Sequence, residues 1–392
     1  MRKYLFLSAL VLCVSLANAQ KAYQQTLDSI EANSKLLLSL QKKAFADKTS
    51  NNAGSLWANP ELETGFLFGV NDASEHRLDI SISQEIDFPT VYSNKKKIRN
   101  LNNNLIDTEY ETLRNELLFE TQQICTDLVY CSIKMDYLTQ CLTNAKAIAE
   151  GFKKRLDVGD ANILDFRNAQ MNFIDIKNEY EMVALEHERL LGMLKSLNGG
   201  EEISFEQKEY DALSLPTDFE EWLETTMQNN PFLAQISIQN DVNERNVRLA
   251  KSEWIPRINI GYMLEKEADG GYHGPTLGFS LPFWGNARTV NSAKALSEST
   301  KASLESETLS FKNEMYTLYL KAKSLNDNIN AINELFNDND SRDLLRKALD
   351  NGEMTIVDYL VELEFYHETQ LKLIDLQYEF NKIMIELHRF AM

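Results

Sequence analysis

The sequence predicts a mainly α-helical chain that also contains four β-strands and is organised as two tandem repeats. Three observations predict this class. The 392 residues include only 15 Gly and 7 Pro, far fewer than the many turns of an all-β protein require. Residues 90–150 and 286–351 contain neither Gly nor Pro. A short motif also recurs 193 residues after its first occurrence.

The first nineteen residues are expected to form a signal peptide, which makes this an exported protein. Arg2 and Lys3 precede a largely apolar run over residues 4–16, and Ala17-Asn18-Ala19 supplies the small residues of a cleavage site. Cys13 follows a bulky leucine where lipoprotein processing needs Gly or Ala, so we do not expect it to carry lipid.

The charge of the chain limits its partners. There are 59 Asp and Glu against 40 Lys and Arg, and removing residues 1–19 takes away two basic groups and no acidic ones, which leaves a net charge of −21. This balance argues against nucleic acid or anionic headgroups as partners. After residue 19 no apolar stretch is long enough for a spanning helix, so we expect any membrane insertion to use strands.

The internal repeat is visible in two matching segments. Residues 156–159 (Leu-Asp-Val-Gly) precede 163–166 (Ile-Leu-Asp-Phe), and residues 349–352 (Leu-Asp-Asn-Gly) precede 356–359 (Ile-Val-Asp-Tyr). We therefore predict a first repeat over 20–200, with strands at about 60–87 and a helical hairpin at about 90–197. The second repeat covers 201–392, with strands at about 256–283 and a hairpin at about 286–390.

The Gly- and Pro-free stretches predict very long helices, each roughly 90 Å if unbroken. Their apolar residues follow the 4-3-4-3 spacing of a coiled-coil seam. The first seam comprises Ile124, Leu128, Cys131, Met135, Leu138, Leu142, Ala145, Ala149, Phe152 and Leu156, and the second comprises Phe311, Met315, Leu318, Ala322, Leu325, Ile329, Ile332 and Phe336. Because the pattern resumes after each glycine, each half is expected to be an antiparallel helical hairpin that turns near Gly159 or Gly352. The polar run 337–343 interrupts the second seam, and a solvated or unwound patch explains it better than an ion site.

Four segments predict strands. Leu78, Ile80, Ile82 and Ile86 alternate with polar residues, and residues 61–70, 257–264 and 276–281 have a similar pattern. We expect two hairpins, joined by polar loops at 71–76 and 265–275. We expect the nearby aromatics to form girdles around an outward apolar band: Phe66, Phe68, Tyr262, Tyr272, Phe279, Phe283 and Trp284. Four strands cannot close a barrel around a lumen, so several chains are expected to share one barrel.

Taken together, the sequence resembles the TolC-type outer-membrane efflux channel family over nearly all of the mature chain. The matching pieces are Asn59-Pro60, the run 84–89 (Gln-Glu-Ile-Asp-Phe-Pro), the run 280–285 (Ser-Leu-Pro-Phe-Trp-Gly) and the twin Gly-x-x-x-Ile-x-Asp turns. The resemblance implies a homotrimer in which three chains form a 12-stranded outer-membrane β-barrel, continued by an α-barrel through the periplasm. Phe88, Pro89, Pro282, Phe283 and Trp284 would then mark the exits from the barrel hairpins.

The resemblance also implies a periplasmic tip that closes the tube and meets an adaptor protein. It places the tip turns and adaptor contact at Gly159, Asp160, Gly352 and Glu353, and the constriction at Asp165, Asp358 and Glu362. Val361 replaces the second acid of the family pattern, and Glu362 is adjacent to it. The alternative role of Asp165 and Asp358 is helix capping, because Thr355 to Asp358 forms a capping box and Asn162 to Asp165 approximates one. The two roles are compatible.

We find no pattern that predicts an enzyme, a cofactor or a metal site. The five histidines lack ligand spacing, Gly270-Gly271 is not followed by the Lys-Ser or Lys-Thr of a phosphate loop, and no Cys/His dyad is evident. We expect a passive trimeric conduit that exports small molecules, with an adaptor and an inner-membrane pump as partners. A type I protein-secretion channel would share this fold. An exported coiled-coil scaffold is the competing hypothesis, although it explains the strand hairpins poorly.

Overall fold

The computed structural model describes residues 23–54, 57–69, 76–267, 269–280, 286–337 and 341–390, so the predicted signal peptide and Cys13 lie outside the described residues. The fold class is confirmed: the chain is mostly helical and contains one small antiparallel sheet. The elements in chain order are α1 (residues 23–33), α2 (Lys35–Ala53), β1 (Glu61–Phe68), β2 (His76–Ile86), α3 (Pro89–Asp157), α4 (Ile163–Leu197), α5 (Phe219–Asn229), α6 (Pro231–Ser252), β3 (Arg257–Glu267), β4 (Gly270–Ser280), α7 (Asn286–Asn337), α8 (Ser341–Asp350) and α9 (Ile356–His388).

The long helices are as extended as the sequence predicts in the first half and are interrupted in the second. α3 runs for 69 residues without a break, a length of about 100 Å at the usual rise per residue. α7 runs for 52 residues and ends at Asn337, and α8 begins at Ser341. The predicted interruption at 337–343 therefore coincides with a helix boundary, although residues 338–340 lie outside the described part.

Contacts divide the chain into two compact units. The helical unit contains, among the described residues, 23–39, 113–227 and 312–390, and its core is the predicted pair of seams. The seam residues of this unit with the least exposure are Ile124, Leu128, Cys131, Leu138, Ala145, Phe152, Met315, Ala322 and Ile329. Cys125, Cys131 and Cys141 remain free thiols, as expected for residues held along one continuous helix.

The sheet unit contains the described residues of 40–112 and 228–311. Its four strands form one antiparallel sheet in the order β1-β2-β3-β4. The predicted hairpins β1-β2 and β3-β4 are both present, and they are joined by a ladder in which Ile86 pairs with Ile258 and Leu78 with Lys266. A strand from each predicted repeat therefore pairs at the centre of the sheet.

The prediction of a loop over residues 265–275 is wrong. β3 continues to Glu267 and β4 begins at Gly270, so most of that segment is strand. Pro275, which read as a loop residue, pairs with Tyr262 in the ladder. β4 is an edge strand of this four-stranded sheet, and edge strands are where proline is found when it occurs within a sheet.

Candidate functional site

Both predicted turns of the helical unit are built in the same way. Gly159 and Gly352 have φ angles of 80° and 74°, in the left-handed region that glycine adopts without steric cost. The N–H of Asp160 donates to the carbonyl of Arg155 at 2.7 Å, and the N–H of Glu353 donates to the carbonyl of Ala348 at 2.9 Å. Each turn is thus a Schellman cap, the usual way to satisfy the last carbonyls of a helix.

The caps that start the next helices differ from one another. At α4, the Asp165 N–H donates to Asn162 Oδ1 at 2.9 Å and the Asn162 N–H donates to Asp165 Oδ2 at 3.4 Å, which is a complete capping box. At α9, the Asp358 N–H donates to Thr355 Oγ1 at 3.2 Å, and that hydroxyl donates to Asp358 Oδ2 at 2.6 Å. The sequence pattern favoured the second site as the capping box, and the structure places the complete box at the first.

The two turns meet in one apolar core. Phe152 at the end of α3 and Ala169 of α4 lie in the same buried cluster as Leu349, Ile356 and Tyr359 from the α8–α9 turn. Polar contacts reinforce this junction, because Asn144 of α3 donates to the hydroxyl of Tyr359 at 3.3 Å and accepts from Arg346 at 3.0 Å. The structure therefore brings the turns that lie 193 residues apart in the sequence to the same end of the helical unit.

The predicted acidic residues lie at the two turns and near the start of the helices that follow them. Asp165 is half-buried, whereas Asp160, Glu353, Asp358 and Glu362 are exposed. Asp358 and Glu362 are four residues apart on α9, so their side chains lie on one face of the helix, one turn apart. Val361 stands where the family pattern has its second acid. Because Glu362 follows it, the chain still has a second carboxylate on the same helix face as Asp358.

Phe88 and Pro89 form the junction between β2 and α3. Pro89 is the first residue of α3, a position where the missing N–H costs nothing, and Phe88 is exposed. Asp87 fixes the junction: its N–H donates to Tyr92 Oη at 2.9 Å and its carboxylate pairs with Lys95 at 2.7 Å. Pro282, Phe283 and Trp284, the corresponding exit of the second hairpin, lie outside the described residues.

One face of the sheet is mainly apolar and the other is mainly polar. The apolar face carries Leu62, Phe66, Phe68, Leu78, Ile80, Ile82, Ile86, Ile258, Ile260, Tyr262, Leu264, Leu277 and Phe279. Nine of these side chains are 39–72% exposed. The opposite face carries Glu61, Glu63, Arg77, Asp79, Ser81, Ser83, Glu85, Arg257, Asn259, Glu265, Thr276 and Ser280. The mainly apolar face also carries Thr64, His76, Gln84, Lys266 and His273, and the mainly polar face also carries Leu67 and Met263. Tyr272, which was assigned to an outward girdle, pairs with Glu265 and so lies on the polar face.

A titratable cluster in the helical unit was missed by the sequence. The cluster surrounds the ring of His367 on α9. Its Nδ1 atom lies 3.1 Å from Tyr137 Oη and 3.8 Å from Cys141 Sγ. Its Nε2 atom lies 3.5 Å from Glu179 Oε2. Contacts with the Cys141 thiol and the Glu179 carboxylate raise the pKa of His367 to about 9. Lys134 Nζ lies 3.2 Å from Glu179 Oε1. Nothing in the sequence indicated this contact between Cys141 and His367, because the two residues are 226 positions apart.

This cluster lines a groove of about 780 Å³ between α3, α4, α8 and α9. Arg346 and Tyr359 line the same groove, so it adjoins the core of the two turns. Within the described residues, no group of three or more His, Cys, Asp or Glu side chains could hold a metal ion.

None of the described helices has a stretch long and apolar enough to cross a membrane.

Comparison with known proteins gives a family and a fold. Residues 222–390 match the family model described as outer membrane efflux protein. No curated protein matches the chain in a sequence search.

Several solved structures share the fold. CusC, reported as forming a transmembrane channel, is 14% identical over 94% of this chain and 91% of its own, with a TM-score of 0.78. The Campylobacter jejuni CmeC outer membrane channel is 16% identical over 95% and 85%, with a TM-score of 0.71. The open state of the Neisseria gonorrhoeae MtrE outer membrane channel is 12% identical over 94% and 88%, with a TM-score of 0.75. The resemblance stated from the sequence is confirmed.

Proposed function

We propose that this chain, whose residues 222–390 match the outer membrane efflux protein family model, is the outer-membrane channel of a tripartite efflux or secretion system. It acts as a passive trimeric conduit. Three chains share one barrel in the outer membrane, and their helices extend into the periplasm. An adaptor protein and an inner-membrane pump supply the energy and choose the substrate. The structure of the sheet carries this proposal.

The sheet has the features of one third of a membrane barrel. β2, β3 and β4 are 11 residues long, and a tilted strand needs about 9–11 residues to cross a bilayer. Its apolar face is exposed, whereas soluble proteins rarely expose a large contiguous apolar patch. β1 and β4 are open edges, and pairing β4 of one chain with β1 of the next would remove every edge in a closed ring of three chains.

The same observation disfavours a soluble coiled-coil scaffold. Such a protein would leave Phe66, Phe68 and Phe279, each at least 60% exposed, in contact with water. A barrel in lipid instead places these side chains in hydrocarbon and the ionised side chains of the opposite face in a water-filled lumen.

The polar face suggests what the lumen prefers. Its strands carry six carboxylates, on Glu61, Glu63, Asp79, Glu85, Glu265 and Glu267, and two guanidinium groups, on Arg77 and Arg257. Arg77 pairs with Asp79 and Glu265, and Arg257 pairs with Glu85. Fixed negative charge repels anions, so the lumen favours cations and neutral compounds.

In this proposal the constriction lies at the joined turns of the helical unit. Asp165, Asp358 and Glu362 supply acidic groups there, while Gly159, Asp160, Gly352 and Glu353 form the surface that contacts the adaptor. The shared core of these turns supports this proposal, because it joins both hairpins of a chain. An adaptor that contacts one turn would therefore move both hairpins.

The test is conductance of the purified protein in a planar bilayer with a salt gradient. The expected result is a stepwise channel conductance with a reversal potential of the sign of a cation-selective pore. Failure to insert, or an anion-selective reversal potential from a protein that does insert, would contradict the channel or its charge preference respectively.

A further inference from the structure

Both predicted repeats place the same two kinds of side chain beside the end of the sheet where strands meet helices. Trp57 precedes β1 and Trp254 precedes β3, and the two tryptophans are 197 positions apart. Lys97 is eight residues beyond the start of α3, and Lys294 is eight residues beyond the start of α7, again 197 positions apart. Both pairs are thus separated by the same 197 positions, four more than the 193 that separate Gly159 from Gly352.

The tryptophans lie on the surface. Trp57 is 58% and Trp254 49% exposed, and the Trp57 ring stacks on Tyr92 with a centroid distance of 4.8 Å. Phe88, at the end of the neighbouring strand, is exposed as well. A tryptophan whose ring is held in place but open to the surroundings suits a membrane interface, where one side of the ring is apolar and the other is wet.

The lysines lie just beyond the aromatic residues. Lys96, Lys97 and Lys294 are all exposed, and on α3 the exposed positions 93, 96, 97 and 100 form one stripe that continues from Pro89. Lys96 and Lys97 are roughly 11 Å along the helix from Pro89. If the aliphatic part of such a lysine side chain extends along the helix towards the strand end, its ammonium group reaches the depth of the lipid headgroups.

The local charge differs from that of the whole chain. Lys95 is neutralised by Asp87, but among the described residues Lys96 and Lys97 have no carboxylate within ion-pair distance. Lys294 lines a shallow groove together with Arg248 and Lys251 and with the carboxylates of Glu244 and Glu298. Because exposed charges more than about 8 Å apart are largely screened at physiological salt, the net charge of −21, which argues against anionic headgroups for the chain as a whole, does not prevent these sites from attracting anions.

We propose that Trp57, Trp254, Lys96, Lys97 and Lys294 form a basic belt that binds anionic phospholipid headgroups in the periplasmic leaflet of the outer membrane and fixes the depth of the barrel. This inference rests on the proposed function, since it needs the sheet to lie in a bilayer. Each chain carries the pair of tryptophan and lysine twice, so three chains present it six times around the barrel, with lysine as the phosphate-binding group.

The test compares two lipids on the full-length protein in vesicles. Spin-labelled phosphatidylglycerol and phosphatidylcholine report, by electron spin resonance, how much of each lipid the protein immobilises. The wild type should retain phosphatidylglycerol in preference, and 0.5 M salt should weaken that preference. The variant K96Q/K97Q/K294Q should lose it.

The matched control is K42Q/K43Q/K301Q, which removes the same charge from the same unit. Lys301 is 15 residues beyond the start of α7, and Lys43 lies level with Glu109, so both are about 20–30 Å beyond the strand ends. An equal loss of preference in both variants, or none in the belt variant, would overturn the proposal. A wild type that inserts and conducts without any preference would overturn it too, and leave the channel function standing.

A second measurement places the tryptophans. The fluorescence of Trp57 and Trp254 is obtained as the difference between the wild type and the W57F/W254F variant. Lipids brominated near the glycerol should quench this fluorescence most, and lipids brominated near the ends of the acyl chains should quench it least. Equal or absent quenching by the two lipids would contradict a position at the interface.

Discussion

Tyr359 joins the two hairpins at the turns, and its replacement should separate them. Its side chain is 1% exposed and lies in the cluster that holds Phe152 of one hairpin and Ile356 of the other. Removing an aromatic ring from such a core costs about 3–5 kcal/mol. Tyr359→Phe removes only the hydroxyl that accepts from Asn144 at 3.3 Å, a contact worth about 1 kcal/mol.

The consequence for the channel follows from where the core lies. If it holds the constriction shut, the free energy lost in Tyr359→Ala shifts the balance between closed and open states. Every 1.4 kcal/mol is a factor of ten, so the resting open probability should rise by about 100-fold or more. Tyr359→Phe should raise it by about fivefold.

The assay is single-channel recording of resting openings, with thermal unfolding of each variant in the same detergent. Leu138→Ala is the control, because Leu138 is fully buried and packs against Ile176 within the first hairpin alone. It should lower thermal stability without changing the open probability. The reasoning is refuted if Tyr359→Ala and Leu138→Ala raise the open probability equally. It is also refuted if Tyr359→Ala lowers thermal stability and leaves the open probability unchanged.

Three further predictions concern charge. Glu61→Gln/Glu63→Gln, on the polar face of β1, should move the reversal potential towards zero because it removes six carboxylates from the trimer, and an unchanged potential would show that this face does not line the lumen. Since contacts with Cys141 and Glu179 raise the pKa of His367 to about 9, the stabilisation is fully present below pH 6.5 and is lost as pH rises through 9. The melting temperature should therefore fall between pH 7 and 10 in the wild type and fall less in His367→Gln. Thr355→Ala removes only the helix cap and should lower the free energy of unfolding by about 1 kcal/mol. Asp358→Ala should in addition raise the resting conductance of the channel. If the two variants have equal conductance, Asp358 has a capping role alone.

Features that depend on local sequence were predictable. The seams follow from apolar spacing along single helices, and Gly159 and Gly352 follow from the need of a helix end for a left-handed residue. The alternation along β2 predicted a two-faced strand, because successive side chains of a strand point to opposite sides.

Features that depend on contacts between distant residues were not predictable. The pairing of β2 with β3 and the meeting of Cys141, Glu179 and His367 require the packed chain. The extension of β4 through Gly270, Gly271 and Pro275 was hidden because these residues usually mark turns. α5 and α6 were also not predicted, although Asn230 before Pro231 is a helix-start signal.

The central claim is that three chains share one membrane barrel, and particle mass tests it most directly. The protein should be extracted by detergent from isolated outer membranes and its mass measured by light scattering, with the bound detergent subtracted. The account predicts about three chains per particle. A monomer recovered from the periplasm without detergent would contradict it, because a single chain would then keep the apolar face of its sheet in water.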